Sequence, residues 1–115
     1  MTKIYSNNVG IAFYWNRVNE DTTAKIQLVF KETGFNLTVP ELEYFAQLII
    51  ESQSQIASCK DCKTYTNCRR FLLQTPAKQI DLAVSKQELT EIKDLVNGTL
   101  FLLKIQEHVY GLGRN

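Results

Sequence analysis

The 115-residue sequence predicts a single α+β domain, residues 1–115, of about five mainly antiparallel strands with two helices on one face. Three observations lead there. Short apolar runs alternate with a period of two, as half-buried strands do. Two amphipathic stretches begin at strong helix caps. A strand–turn–strand–helix unit then occurs twice, over about 23–56 and 70–109, on either side of a cysteine-bearing loop at 57–70.

The first strand falls in residues 9–15 (VGIAFYW). Ile11, Phe13 and Trp15 would point one way and Ala12 and Tyr14 the other, so both faces are apolar. That suits an inner strand or one that meets another subunit. Polar residues 16–22 form a connection. Ile26, Leu28 and Phe30 then alternate, Glu32, Thr33 and Gly34 supply a turn, and Phe35, Leu37 and Val39 resume the pattern. This reads as a β-hairpin.

The first helix has clear start signals. Thr38 is the N-cap, Glu41 stands three residues on as in a capping box, and Pro40 lies in the first turn, where its missing N–H costs little. Leu42, Phe45, Leu48, Ile49 and Ile56 form one stripe. The pattern restarts with a strand at residues 71–73, a turn at Thr75, Pro76, Ala77 and Lys78, and alternation through Ile80, Leu82 and Val84. Ser85 caps the second helix with Glu88 three residues on, and Leu89, Ile92, Leu95 and Val96 follow. Six positions from Thr38 to Ile49 map onto Ser85 to Val96 at a constant shift of 47. Asn97 and Gly98 predict a kink or break, because an interior glycine costs about 1 kcal/mol against alanine.

Composition narrows the function classes. The 44% hydrophobic and 22% charged content is that of an ordinary globular protein. Thirteen basic and twelve acidic residues give a net charge of +1, which argues against electrostatic binding of nucleic acid or an anionic membrane. No apolar run approaches the roughly 20 residues of a membrane helix, and residues 1–8 lack a signal-peptide pattern. Three cysteines cannot all pair within one chain, so a reducing cytoplasm is the expected setting. Residues 99–105 (TLFLLKI) carry more apolar surface than one stripe needs. With the two-faced strand at 9–15, they predict a homodimer.

The loop holds Cys59, Cys62 and Cys68, spaced C-x2-C-x5-C. Two thiolates separated by two residues can reach one metal ion, and a third can occupy another corner of a tetrahedron. Soft sulfur favours zinc, copper(I) or an iron–sulfur cluster, and Lys60, Lys63, Arg69 and Arg70 favour thiolate over thiol. Zinc is the first candidate and an iron–sulfur cluster the second. The fourth ligand would be His108, if the last helix folds back, or Asp61. A longer C-x2-C-x5-C-x3-C cluster signature would need cysteine where Leu72 stands. The rival readings are a solvated loop with unbound cysteines and a C-x2-C redox pair, although redox pairs open a helix and a strand follows here. The loop's four cations with Tyr65 could hold phosphates and stack a base, but such charges more often stay solvated.

Other chemistry finds no foothold. One histidine builds no triad, and no glycine-rich phosphate loop is present. Glu41 with Glu43 and Glu88 with Glu91 suit the positive ends of helices. Over residues 25–50 and 59–96 the layout resembles small bacterial proteins of unknown function, and that resemblance implies no catalytic residue. The expected function is a non-catalytic interaction or regulatory module with a structural metal at the cysteine loop. The alternative is a redox or iron–sulfur protein using the same cysteines. The expected partners are a second copy and a further protein.

Overall fold

The computed structural model describes residues 2–14, 25–57 and 71–112, with side chains over 3–14, 25–55 and 71–105. The chain is α+β: six strands in two antiparallel sheets, and two helices. A four-stranded sheet runs in sequence order through β1 (Thr2–Ser6), β2 (Gly10–Tyr14), β3 (Ile26–Phe30) and β4 (Thr33–Leu37). Helix α1 (Val39–Ala57) follows, then a hairpin of β5 (Phe71–Gln74) and β6 (Asp81–Val84), then helix α2 (Lys86–Leu112).

The sixth strand, β1, corrects the expected five. Its pairing with β2 shifts register between Lys3 and Tyr5. Such a bulge breaks the period of two, so Ile4 and Tyr5 stand side by side in sequence and alternation is lost. The hairpin turn also differs from expectation. It lies at Lys31 and Glu32, which have φ of 51° and 60°. Two residues in the left-handed region match the strong twist of a two-residue hairpin. Gly34 therefore belongs to β4, opposite Val29.

Register fixes which residues meet. Ala12, Leu28 and Phe35 lie in one row, and Tyr14, Ile26 and Leu37 in the next. These residues face the helices and join one core with Leu42, Phe45, Leu48, Ile49, Leu73, Val84, Leu89, Ile92, Leu95 and Val96. The predicted helix stripes are thus the buried faces, apart from Ile56, whose side chain lies outside the described residues. Ile11 and Phe13 occupy the opposite side of the sheet, as the alternation required. Trp15 lies outside the described residues. Helix α1 lies against β4 and β5, α2 against β1 and β2, and the helices touch each other.

Both caps form as the sequence requires. The Thr38 N–H donates to Glu41 Oε1 at 2.8 Å while the Glu41 N–H donates to Thr38 Oγ1 at 3.3 Å. The Thr38 N–H and hydroxyl, both donating to Glu41 Oε1, hold the Glu41 carboxyl below its ordinary pKa. Ser85 and Glu88 repeat the exchange at 2.9 and 3.1 Å.

Of the kink or break expected at Gly98, the break is corrected: α2 runs unbroken from Lys86 to Leu112. The glycine serves packing instead. A Cβ there would lie 2.5–2.8 Å from three ring atoms of Tyr5. Gly98→Ala should therefore lower stability, because overpacking by about 1–3 kcal/mol exceeds the helix-propensity gain of about 1 kcal/mol. In a Tyr5→Ala background the same change should raise stability by about 1 kcal/mol. Urea unfolding of the four proteins checks this. The same sign in both backgrounds would refute the contact.

Candidate functional site

Cys59, Asp61, Cys62 and Cys68 lie outside the described residues, in the segment 58–70 that joins α1 to β5. His108 belongs to α2, but its side chain also falls outside the description. No member of the sequence-predicted metal set is therefore placed against another. Among the described residues no group of three His, Cys, Asp or Glu side chains could hold a metal ion.

The polar cluster that the fold does build was not foreseen. It joins the β1–β2 turn to one side of α2. Asn7 starts it by closing its own turn: its N–H donates to the Gly10 carbonyl at 3.0 Å, and its Oδ1 accepts from the N–H groups of Val9 and Gly10. An asparagine bonding backbone a few residues on is a common turn device. The remaining end of that carboxamide, Nδ2, donates to Asp94 Oδ2 at 2.9 Å and to the Glu91 carbonyl at 2.8 Å. Tyr5 Oη donates to the same Asp94 oxygen at 2.7 Å.

The chemistry of this cluster is that of a fastening. Donation to Asp94, and the charge of that carboxylate, push the Tyr5 phenol above its ordinary pKa. A phenol shifted upward stays protonated and donating, so it is poorly suited to act as a base. Asp94 accepts from two neutral donors. Behind the hydroxyl the Tyr5 ring lies on bare backbone at Gly98, one helical turn after Asp94. On the far side of the same hairpin system, Lys31 Nζ pairs with Glu88 Oε2 at 3.0 Å, both side chains about four-fifths covered. The sheet is thus tied to the first three turns of α2 at two places. One sequence signal pointed here: a glycine inside an otherwise strong helix needs a packing reason.

The acidic pairs at the helix starts resolve into distinct roles. Glu41 and Glu88 are cap partners, Glu43 is exposed, and the backbone carbonyl of Glu91 receives Asn7.

Apolar side chains left outside the core form the other notable feature. Phe101 and Leu72 are each 63% exposed, and Ile105 is 43% exposed. Phe101 and Ile105 lie one turn apart on α2, while Leu100 just before them and Leu102 and Leu103 between them pack against the core. The segment 99–105 thus divides its apolar residues between an inner and an outer face. Thr99, buried among them, satisfies its hydroxyl by donating to the Leu95 carbonyl at 2.7 Å. No helix among the described residues is long and apolar enough to cross a membrane.

No curated protein and no solved structure matches the chain. One family model does, over residues 5–115, which takes in both strand–turn–strand–helix segments, the cysteine loop and the cluster at Tyr5. The chain belongs to this family of unknown function, DUF6686.

Proposed function

We propose that this protein is a small non-catalytic interaction module of the cytoplasm, working as a homodimer and presenting apolar surface to a further protein. One observation carries the reading. Phe101 and Ile105, at i and i+4 on α2, hold an apolar face outward although the helix already has a complete buried stripe. Side chains at that spacing are neighbours on a helix, and apolar surface displayed in addition to a finished core suits a contact. Light scattering at micromolar concentration should give about 26 kDa, twice the 13.2 kDa of one chain. A mass near 13.2 kDa would overturn the homodimer.

Within this reading Cys59, Cys62 and Cys68 hold a structural zinc ion, with His108 or Asp61 as fourth ligand. Tetrahedral sulfur-rich sites of this kind stabilise loops that lack a core of their own. Elemental analysis of the same sample should then find about one zinc per chain, lost in Cys62→Ser. Several irons per chain in protein purified without oxygen would favour the iron–sulfur alternative instead.

We also read the two strand–turn–strand–helix segments as one repeated unit. Ile26 pairs with Leu37 and Leu28 with Phe35 as Phe71 pairs with Val84 and Leu73 with Leu82. The second strands and helices correspond at a shift of 47, and the first strands at 45, because the pair Gln74–Asp81 encloses two residues more than the corresponding pair Val29–Gly34.

A further inference from the structure

Asn97 and Gly98 form the one Asn–Gly pair in the sequence. This is a reactive step in any chain, because glycine has no Cβ to keep its backbone nitrogen from the neighbouring carboxamide. The only co-reactant is water. The Gly98 nitrogen attacks Asn97 Cγ, a C–N bond forms, and the side-chain nitrogen leaves as ammonia with the proton of the Gly98 amide. Water then opens the five-membered imide at either carbonyl. One opening gives aspartate, and the other gives isoaspartate, in which the main chain runs through Cγ.

The fold opposes this reaction at one place. Asn97 is exposed, so burial gives it no protection. The helix does, because both residues lie inside α2. There the Gly98 N–H bonds to the carbonyl four residues back, which belongs to Asp94, and helical backbone keeps that nitrogen from Asn97 Cγ. A helix is weak at an interior glycine, and this turn is held from outside. The Tyr5 ring lies on Gly98. Tyr5 Oη and Asn7 Nδ2 both donate to the side chain of Asp94. β1 and its turn therefore grip the residue whose carbonyl ties down the Gly98 nitrogen.

We propose that Asn97 is a modification site gated by β1. While β1 is fastened, the pair is locked in the helix. When β1 lets go, α2 opens locally at Gly98, as weakly held segments do, and Asn97 converts to aspartate or isoaspartate. Hydrolysis releases the ammonia, so the change is one-way. Isoaspartate adds a backbone carbon that the helical ladder cannot take up, and α2 stays interrupted there. Asn97 and Phe101 stand at i and i+4 on the outward side of α2, so conversion also marks the face that Phe101 begins. The site stands whether or not that face forms a contact.

Peptide mass mapping after incubation in mildly alkaline buffer reads the amide-to-acid mass gain at residue 97. The urea-unfolded chain sets the fastest rate, and the folded wild type should be the slowest. Tyr5→Ala should convert at least about tenfold faster than wild type, the factor that one hydrogen bond to a charged acceptor represents. Tyr5→Phe keeps the ring and should fall between them, and it decides the matter if Tyr5→Ala unfolds. Adding Gly98→Ala to Tyr5→Ala should slow conversion again, since alanine shields the nitrogen and strengthens the helix. Phe45→Leu weakens the core away from β1 and serves as the control. If both Tyr5 variants converted at the wild-type rate, the gate would be overturned. So it would be if Phe45→Leu matched the Tyr5 variants at urea concentrations giving equal overall stability, because opening would then be global. An unfolded chain that left Asn97 intact would overturn the site itself.

Discussion

Gly10→Ala should destabilise the protein by about 3 kcal/mol, the upper range for one methyl forced into a packed site. The glycine has an ordinary negative φ, so its freedom of backbone conformation is not the reason. Space is the reason. A Cβ at residue 10 would lie 2.2 Å from the Val29 carbonyl oxygen, 2.7 Å from Phe30 Cβ and 3.1 Å from Leu95 Cδ2. The first two belong to or adjoin the backbone of β3, with Phe30 directly paired to Gly10. Neither can rotate away as a side-chain tip could. Relief requires the β2–β3 ladder to part at this end, where β2 also meets α2. Elsewhere in a strand the same substitution would be neutral or stabilising, because alanine restricts the unfolded chain. Urea denaturation followed by circular dichroism reads the sign at once. A variant as stable as the wild type would show that the sheet and α2 are not in this close register.

The two glycines show where sequence reasoning reached and where it stopped. Local patterns were legible. Thr38 with Glu41 and Ser85 with Glu88 formed the reciprocal bonds their spacing implies, because a cap needs only residues three apart. Leu42, Phe45, Leu48 and Ile49 were recognisable as a buried stripe for the same reason. What depended on distant partners was not. Tyr5 and Asn7 reach Asp94 and Glu91 across sequence separations of 89 and 84 residues, and no periodicity announces such a meeting. Gly98 read as a helix breaker because its local propensity is poor. The Tyr5 ring that occupies the space above it comes from the other end of the chain. Lys31 and Glu32 took the turn from the more obvious Gly34, since the pairing of Phe30 with Thr33 leaves only two residues between the strands. Of the candidate site, the cysteines were found by spacing alone. The fastening of β1 to α2 and the exposure of Leu72 required the fold.

Phe45→Ala should cost about 3–5 kcal/mol, as removal of a fully buried aromatic ring does. Phe45 is completely buried on α1, and its ring centre lies 6.1 Å from that of Phe30 and 6.0 Å from that of Phe35. Phe30 and Phe35 are themselves 5.7 Å apart and stacked. These three rings come from β3, β4 and α1, so they tie the hairpin to the helix that follows it. Aromatic pairs at such separations contribute about 0.5–1.5 kcal/mol beyond the area they bury. Truncation removes two of the three pairs and leaves a cavity that the strands cannot readily fill. Against a total stability of about 5–15 kcal/mol, ordinary for domains, the loss leaves little margin. Phe45→Leu keeps most of the volume and should recover a large part of the loss, short of the ring pairing. Tyr44, its neighbour, is 53% exposed, and Tyr44→Ala should change stability by no more than about 0.5 kcal/mol. Urea midpoints at constant slope measure all three. If Tyr44→Ala cost as much as Phe45→Ala, α1 would have to face the sheet with a different side, and the shared core would be wrong.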